Sequence, residues 1–368
     1  MRVCIDATPL LLRSAGVKNY IYYWIEALRR EAGAGAIATF PVDGLSGSLD
    51  HERSHAGLGA TAAGLGLLHF LNYSRLPADG FVPACDVFHA SHQLRNPPRK
   101  SRLTTTVHDM TCWLMPELHP AGNVKGGVRF GEQVMRRADG LIAVSEHTRR
   151  DAVKILGLDE RRIAVIYPGV SERFFEVTAE QAAAARRKYA LGKPYALFVG
   201  TVEPRKNLGA LLDAYERLKP DVRAEFDLVI AGPAGWADRA TIARLESPPS
   251  GVRHAGYVPE ADLPGLTAGA AMAVYPSFYE GFGFPVAQAM AAGVPVITSN
   301  VSSLPEVTGD AGLLVDPRSV AEIAAAMEKL MLSPSLGASL AANGRRRAQR
   351  YRWEECARQS WEFFGRLA

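Results

Sequence analysis

Short apolar runs alternate with longer amphipathic stretches along the whole chain of 368 residues, and they do so in two successive series. A strand buried on both faces reads as a continuous apolar run, and parallel neighbours need a long crossover, usually a helix. The pattern therefore predicts parallel α/β sheets with helices on both faces. In the first series strands are expected at 2–7, 36–41, 86–90, 103–107, 141–144 and 163–166, with a helix over 17–31. The second series gives strands at 195–199, 228–231, 252–255, 271–275, 294–298 and 313–315, and helix from about 320 onward. Between them lies a polar connector with an alanine run at 170–193. The fold expected is α/β, with two Rossmann-like doubly wound domains facing across a cleft. One covers 1–172 and the other 173–352, and a last helix at about 353–368 packs back on the first. Ligands of such sheets sit beyond the carboxyl ends of the strands.

Composition narrows the function classes. With 48% hydrophobic and 22% charged residues the chain buries a full core. A net charge of +4 is too small to announce a nucleic-acid binder. The surplus sits in residues 1–173, which hold 21 Lys and Arg against 17 Asp and Glu, and fits a first domain facing an anionic acceptor or a membrane surface. Cys4, Cys85, Cys112 and Cys356 are widely spaced, which suggests neither a zinc site nor a disulfide framework and points to a reducing cytosol. Asp6 and Arg13 interrupt the first apolar run, so it reads as a strand and not as a signal or a span. The expected location is cytoplasmic, with peripheral membrane contact as an option. The stretch 44–83 is irregular, and its apolar patch 65–71 reads as a buried helix or, alternatively, a lipid contact. Arg345, Arg346, Arg347 and Arg350 read as a solvated helix face.

Chemistry concentrates at strand ends. After the strand ending at Tyr275 comes Glu280-Gly281-Phe282-Gly283-Phe284-Pro285, opening a helix that carries Gln288. A helix start favours an anion, glycines allow close approach, and Glu280 can accept hydrogen bonds from sugar hydroxyls. After the strand ending at Val199 comes Gly200-Thr201-Val202-Glu203-Pro204-Arg205-Lys206-Asn207, where Arg205 and Lys206 suit a diphosphate and its developing charge. Thr106-Val107-His108-Asp109 sets a histidine and an acid at a third strand end, and Ser14-Ala15-Gly16-Val17 is a small-residue loop after the first. No Asp-x-Asp occurs, so no metal is expected. The P-loop and the dinucleotide glycine fingerprint are also missing, against a nucleotidase or a dehydrogenase.

Together these residues resemble the retaining glycosyltransferases of the GT-B fold, specifically glycosyltransferase family four, over nearly the whole chain and most strongly over 195–317. The resemblance implies a metal-independent enzyme moving a hexose from a nucleotide sugar to a glycan or lipid-linked acceptor, with the first domain holding the acceptor and the second the donor. Glu280 would bind the donor sugar, the amides of Gly281, Phe282, Gly283 and Phe284 would line its pocket, and Arg205 and Lys206 would hold the diphosphate. Gly16 would approach from the first domain, His108 would sit near the reactive face, Asp109 would orient it or meet the acceptor, and Tyr257 and Val258 would flank the base. Gly235-Trp236 and Gly256-Tyr257-Val258-Pro259 look most like the mannosyl- and rhamnosyl-transferring members, which suggests GDP-mannose. Two departures stand out. Gln288 replaces the second glutamate of the family's E-x7-E signature, and Thr201 stands where many members carry arginine. A nucleotide-sugar 2-epimerase of the same fold and a non-catalytic nucleotide-sugar binder are the alternatives.

Overall fold

The computed structural model describes residues 1–13, 16–43, 49–74, 76–91 and 93–368. They form two compact units, Met1–Gly169 with Arg352–Ala368, and Val170–Tyr351.

The first unit is built on β1 (Val3–Asp6), β2 (Ile37–Phe40), β3 (Val87–Ala90), β4 (Arg102–Val107), β5 (Gly140–Ala143) and β6 (Ile163–Val165). Their spatial order is β2-β1-β3-β4-β5-β6, every pair parallel. The second contains β7 (Tyr195–Val199), β8 (Asp227–Ala231), β9 (Val252–Gly256), β10 (Met272–Tyr275), β11 (Val296–Ser299) and β12 (Gly312–Val315), in the order β12-β11-β10-β7-β8-β9, again all parallel. Each order reverses direction once, between β1 and β3 in one sheet and between β7 and β10 in the other. At such a point the connections leave to opposite faces and open a crevice beyond the strand ends.

Polar residues inside the strands are satisfied locally. Thr105 Oγ1 donates to the Ala90 carbonyl at 2.8 Å. His89 on β3 lies between Thr104 Oγ1 and Thr106 Oγ1 on β4, 3.0 Å from each. Asp6, at the reversal, accepts from the amide and hydroxyl of Thr8 (3.1 and 2.5 Å) and of Ser91 (3.2 and 2.6 Å), so one buried carboxylate ties the loops after β1 and β3 together. Helix starts are capped by Ser145, Thr178, Asp238 and Ser319, each worth about 1 kcal/mol.

The last helix, Trp353–Gly365, packs on the first helix, Gly16–Ala32, within the first unit. Trp24 is fully buried there, donates its indole N–H to Ser360 Oγ at 2.9 Å, and lies 4.7 Å from the ring of His89 and 6.0 Å from Phe364.

Two sequence readings are corrected. The apolar patch lies on a helix, Leu58–Ser74, but only Gly64, Leu68 and Leu71 are buried; Phe70 is 48% and Tyr73 70% exposed. The helix is apolar nearly all round, so one face is left over once the other is packed. The arginine cluster is not a purely solvated face. Arg345 donates to the Ala292 carbonyl at 3.3 Å, and Arg347 to the carbonyls of Val307 and Glu306 at 2.7 and 2.5 Å.

Burial, with His108 nearby, pushes the His89 imidazole from its ordinary 6.5 to about 3, so it stays neutral in the fold. The unfolded chain takes up that proton below about pH 6.5, and the folded one does not until about pH 3. Stability therefore falls as pH drops through this window. Replacing the ring with an amide that keeps the threonine contacts, His89→Gln, is expected to make the decline of urea-unfolding free energy between pH 6.5 and 4 measurably shallower.

Candidate active site

The reversal in the second sheet sets the loop after β7 beside the loop after β10. Beyond β7 the chain turns at Gly200, continues through Thr201–Glu203, and makes a single helical turn at Pro204–Lys206. Asn207 follows in left-handed conformation and opens the helix Leu208–Arg217. Its side-chain Nδ2 donates to the carbonyls of Pro276 (3.1 Å) and Pro317 (2.7 Å), and the Phe278 backbone amide donates to the Arg205 carbonyl at 2.9 Å. The bonds to Pro276 and from Phe278 fix the two loops to each other.

Glu280 is the centre of the arrangement. Its Oε2 lies 2.7 Å from Arg205 Nη1, Oε1 accepts from Ser277 Oγ at 3.1 Å, its amide donates to Ser302 Oγ at 3.1 Å, and its carbonyl accepts from Ser303 Oγ at 2.8 Å. Arg205 also donates to the Tyr279 carbonyl at 2.5 Å and to Glu203 Oε1 at 2.5 Å. Lys206 differs from its neighbour. Among the described residues its ammonium makes no hydrogen bond or ion pair, and burial holds its pKa below 10.5, with Glu203 and Glu280 pulling the other way. By accessibility Lys206 is half-buried, so its ammonium is a partly shielded cation with no ion pair among the described residues.

Glu280 precedes the helix Phe284–Ala291, whose cap, Gly283, has φ +96°; a Cβ there would stand 2.7 Å from Leu304 Cδ2. Fewer amides remain at this helix start than the sequence suggests. Pro285 has none, and those of Val286 and Ala287 donate to the Gly283 carbonyl at 3.1 and 3.2 Å. The positive end of the dipole remains. The Phe282 side chain is buried against Phe284 and Tyr351, so it packs and does not line a pocket. Gly281 is buried as well. Gln288 is half-buried and, among the described residues, its side-chain amide makes no hydrogen bond. Val258 is buried in the core with Leu197, Val229 and Leu266, which leaves only its backbone to meet a base, whereas Tyr257 is half-buried. Thr201 turns toward Gly235, where an added Cβ would lie 2.8 Å from Thr201 Cγ2.

The remaining expected residues belong to the first unit. His108 is half-buried just beyond β4, edge-on to Tyr20 with ring centroids 4.9 Å apart. Asp109 Oδ1 accepts from the amide and hydroxyl of Thr111 at 3.0 and 2.7 Å, so it shapes the turn into the next helix. Gly16 begins the helix Gly16–Ala32, and no described atom lies within 4 Å of an added Cβ; Ser14 and Ala15 lie outside the described residues. Among the described residues no cluster of three or more His, Cys, Asp or Glu is arranged to hold a metal ion.

The profile of Glycosyltransferase Family 4 matches residues 14–174, and that of Glycosyl transferases group 1 matches 181–347. The O-antigen chain mannosyltransferase B of Escherichia coli is 37% identical over 267 residues, 72% of this chain and 70% of that one. This chain belongs to the family-four glycosyltransferases. A serotype-specific mannosyltransferase of Escherichia coli is 29% identical over 63% of the transferase but only 29% of its own length. Sucrose-phosphate synthase of Thermosynechococcus elongatus superimposes with a TM-score of 0.74 at 21% identity, over 99% of the transferase and 98% of that chain. Anabaena HepE, solved with UDP and glucose, gives 0.72 at 18%, over 100% of each. These two share its GT-B fold.

Sequence reasoning about the transferase missed Glu203, Ser277, Ser302 and Ser303, which hold Arg205 and Glu280 in place. Glu203 stood inside the quoted motif, and its burial was the missing signal. Gly200 also gains a reason. Its φ is +144°, and an added Cβ would stand 2.4 Å from Lys206 Nζ. Gly200→Ala is expected to displace the ammonium and lower transfer roughly tenfold or more, the worth of about 1.4 kcal/mol. The same change should cost about 1–3 kcal/mol of fold stability through its backbone conformation. Steady-state kinetics and thermal unfolding of the purified variant check both.

Proposed function

We propose that this transferase takes a nucleotide sugar as donor, with GDP-mannose the best candidate, and transfers the hexose to a glycan or lipid-linked oligosaccharide in polysaccharide or O-antigen-type synthesis. The observation that carries the reading is the half-buried Lys206, un-neutralised among the described residues and in the field of Glu280, whose loop opens the helix Phe284–Ala291. A diphosphate supplies the counter-charge that the protein withholds, and charge on the leaving phosphate grows as the glycosidic bond breaks. With Lys206 and the dipole placed there, a metal has no task left, and we read the reaction as metal-independent. Glu280, held by Arg205 and Ser277, keeps lone pairs for sugar hydroxyls. The unbonded Gln288 amide suits a ribose. Retention of anomeric configuration is part of the reading, with the leaving phosphate taking the acceptor's proton and no covalent nucleophile assigned. Support for mannose comes from the relatives named as mannosyltransferases.

The first unit supports a peripheral contact with an anionic membrane, where lipid-linked acceptors reside. Leu58, Phe70, Tyr73, Leu76 and Phe81 are exposed, and the helix Leu58–Ser74 has no charged residue. Arg95 and the pair Arg99 and Lys100 sit beside this face, their amides bonded to Asn72 and Asp79, and they are exposed and make no ion pair among the described residues. Among those residues no helix is long and apolar enough to cross a membrane. Apolar insertion plus flanking cations is the composition of an interfacial contact.

Lys206→Ala and Glu280→Ala are each expected to abolish transfer while the fold survives. In a thermal-shift screen with EDTA against GDP, UDP, dTDP and ADP and their sugars, stabilisation by the guanine pair is expected. Response to none of them would overturn the donor reading. Phe70→Ser with Tyr73→Ser should reduce sedimentation with phosphatidylglycerol-containing vesicles without changing activity on a soluble acceptor. Equal sedimentation of wild type and variant would remove the membrane contact.

A further inference from the structure

Charged and polar groups gather at four places: a depression lined by Lys193, Arg223 and Arg253 at the amino-terminal edge of the second sheet, the neighbouring Cys4 and Cys85, the buried Lys18, and the ion pairs around Glu280. The cations of the depression already bond the Ala224 and Glu216 carbonyls and Asp227. Lys18 is spent on the carbonyls of Leu12 and Arg53. The ion pairs carry the argument furthest.

We propose that Glu203 and Arg205 are a positioning pair for Glu280, and that Arg205 is not a ligand of the donor's diphosphate. The inference rests on the donor reading given above. Arg205 lies between two carboxylates, 2.5 Å from Glu203 Oε1 through Nη2 and 2.7 Å from Glu280 Oε2 through Nη1, and it also holds the Tyr279 carbonyl. The three side chains are 9–12% exposed, so the network is nearly dry. In such surroundings a guanidinium bonded at both ends keeps its partners, because leaving them would strand two carboxylates. A guanidinium fork also orients a carboxylate better than an ammonium does.

Charge places the neighbours in different jobs. Arg205 with two carboxylates sums to −1, repels a phosphate, and gives it no spare positive charge. Lys206, next in sequence, has no hydrogen bond or ion pair among the described residues, so of the two it is the one with a cation to present to a diphosphate. Glu203 is then the anchor: it holds one end of the arginine so that the other end fixes the Glu280 carboxylate toward the sugar.

The test removes the pair as a neutral unit, so that the local charge does not change. Glu203→Gln with Arg205→Gln is compared with Lys206→Ala and wild type, using inorganic pyrophosphate in calorimetry as a base-independent probe, and turnover of the sugar nucleotide that stabilises the protein. The double variant is expected to bind pyrophosphate within twofold of wild type while its kcat falls tenfold or more and the donor KM changes little. Lys206→Ala should weaken pyrophosphate at least tenfold. A double variant that loses pyrophosphate as Lys206→Ala does, or that keeps its kcat, overturns the proposal. Failure of Lys206→Ala to weaken pyrophosphate would instead count against the donor reading. Should the double variant unfold, Glu203→Gln alone decides: a lower kcat with undiminished pyrophosphate binding supports positioning, and an unchanged kcat overturns it.

Discussion

Everything at the candidate site follows from one constraint on the second sheet: its strand order reverses between β7 and β10. Neighbouring strands there send their connections to opposite faces, and the loops that follow them meet beyond the strand ends. Between them a salt network of Glu203, Arg205 and Glu280 forms, and Lys206 is left over. Hydrogen bonds from the Asn207 side-chain amide and the Phe278 backbone amide keep the loops in register with each other. These charged groups are thereby mounted at the ends of buried strands.

The first sheet obeys the same rule with different chemistry. Its reversal, between β1 and β3, is sealed by Asp6, whose carboxylate binds the loops after both strands. Burial pushes that carboxyl above its ordinary value, and the four hydrogen bonds act against this. One reversal is therefore closed by a satisfied anion and the other left open around an unsatisfied cation. The same topology gives a brace in one place and a cation without an ion pair among the described residues in the other.

The strands were legible because burial on both faces writes each one as an apolar run, as at 195–199 and 228–231, where the observed β7 and β8 agree within a residue. Glu280, Arg205, Lys206 and the helix after Gly283 were legible because residue type and place after a strand point the same way. The side chains that support them were not. Nothing in a serine's spacing says that Ser302 will meet the Glu280 amide, since that contact joins loops 22 residues apart. His89, read only as part of a strand, became visible through the two threonines on the next strand. Val258 shows what a motif does not tell: its side chain serves the core, which leaves its backbone for any contact with a base. The helix Leu58–Ser74 was misjudged because its composition carries no period that separates an inner from an outer face.

The helix Trp353–Gly365 has a consequence for the order of synthesis. Its Ser360 accepts from Trp24, and its Phe364 lies against Trp24 and near His89, so the floor of the first unit is closed by residues made more than 180 positions after its last strand. On the ribosome, the whole of Val170–Tyr351 emerges before that helix exists. Domains ordinarily complete themselves in the order in which they are translated. Here every residue of the second unit is made before the helix that covers Trp24 in the first.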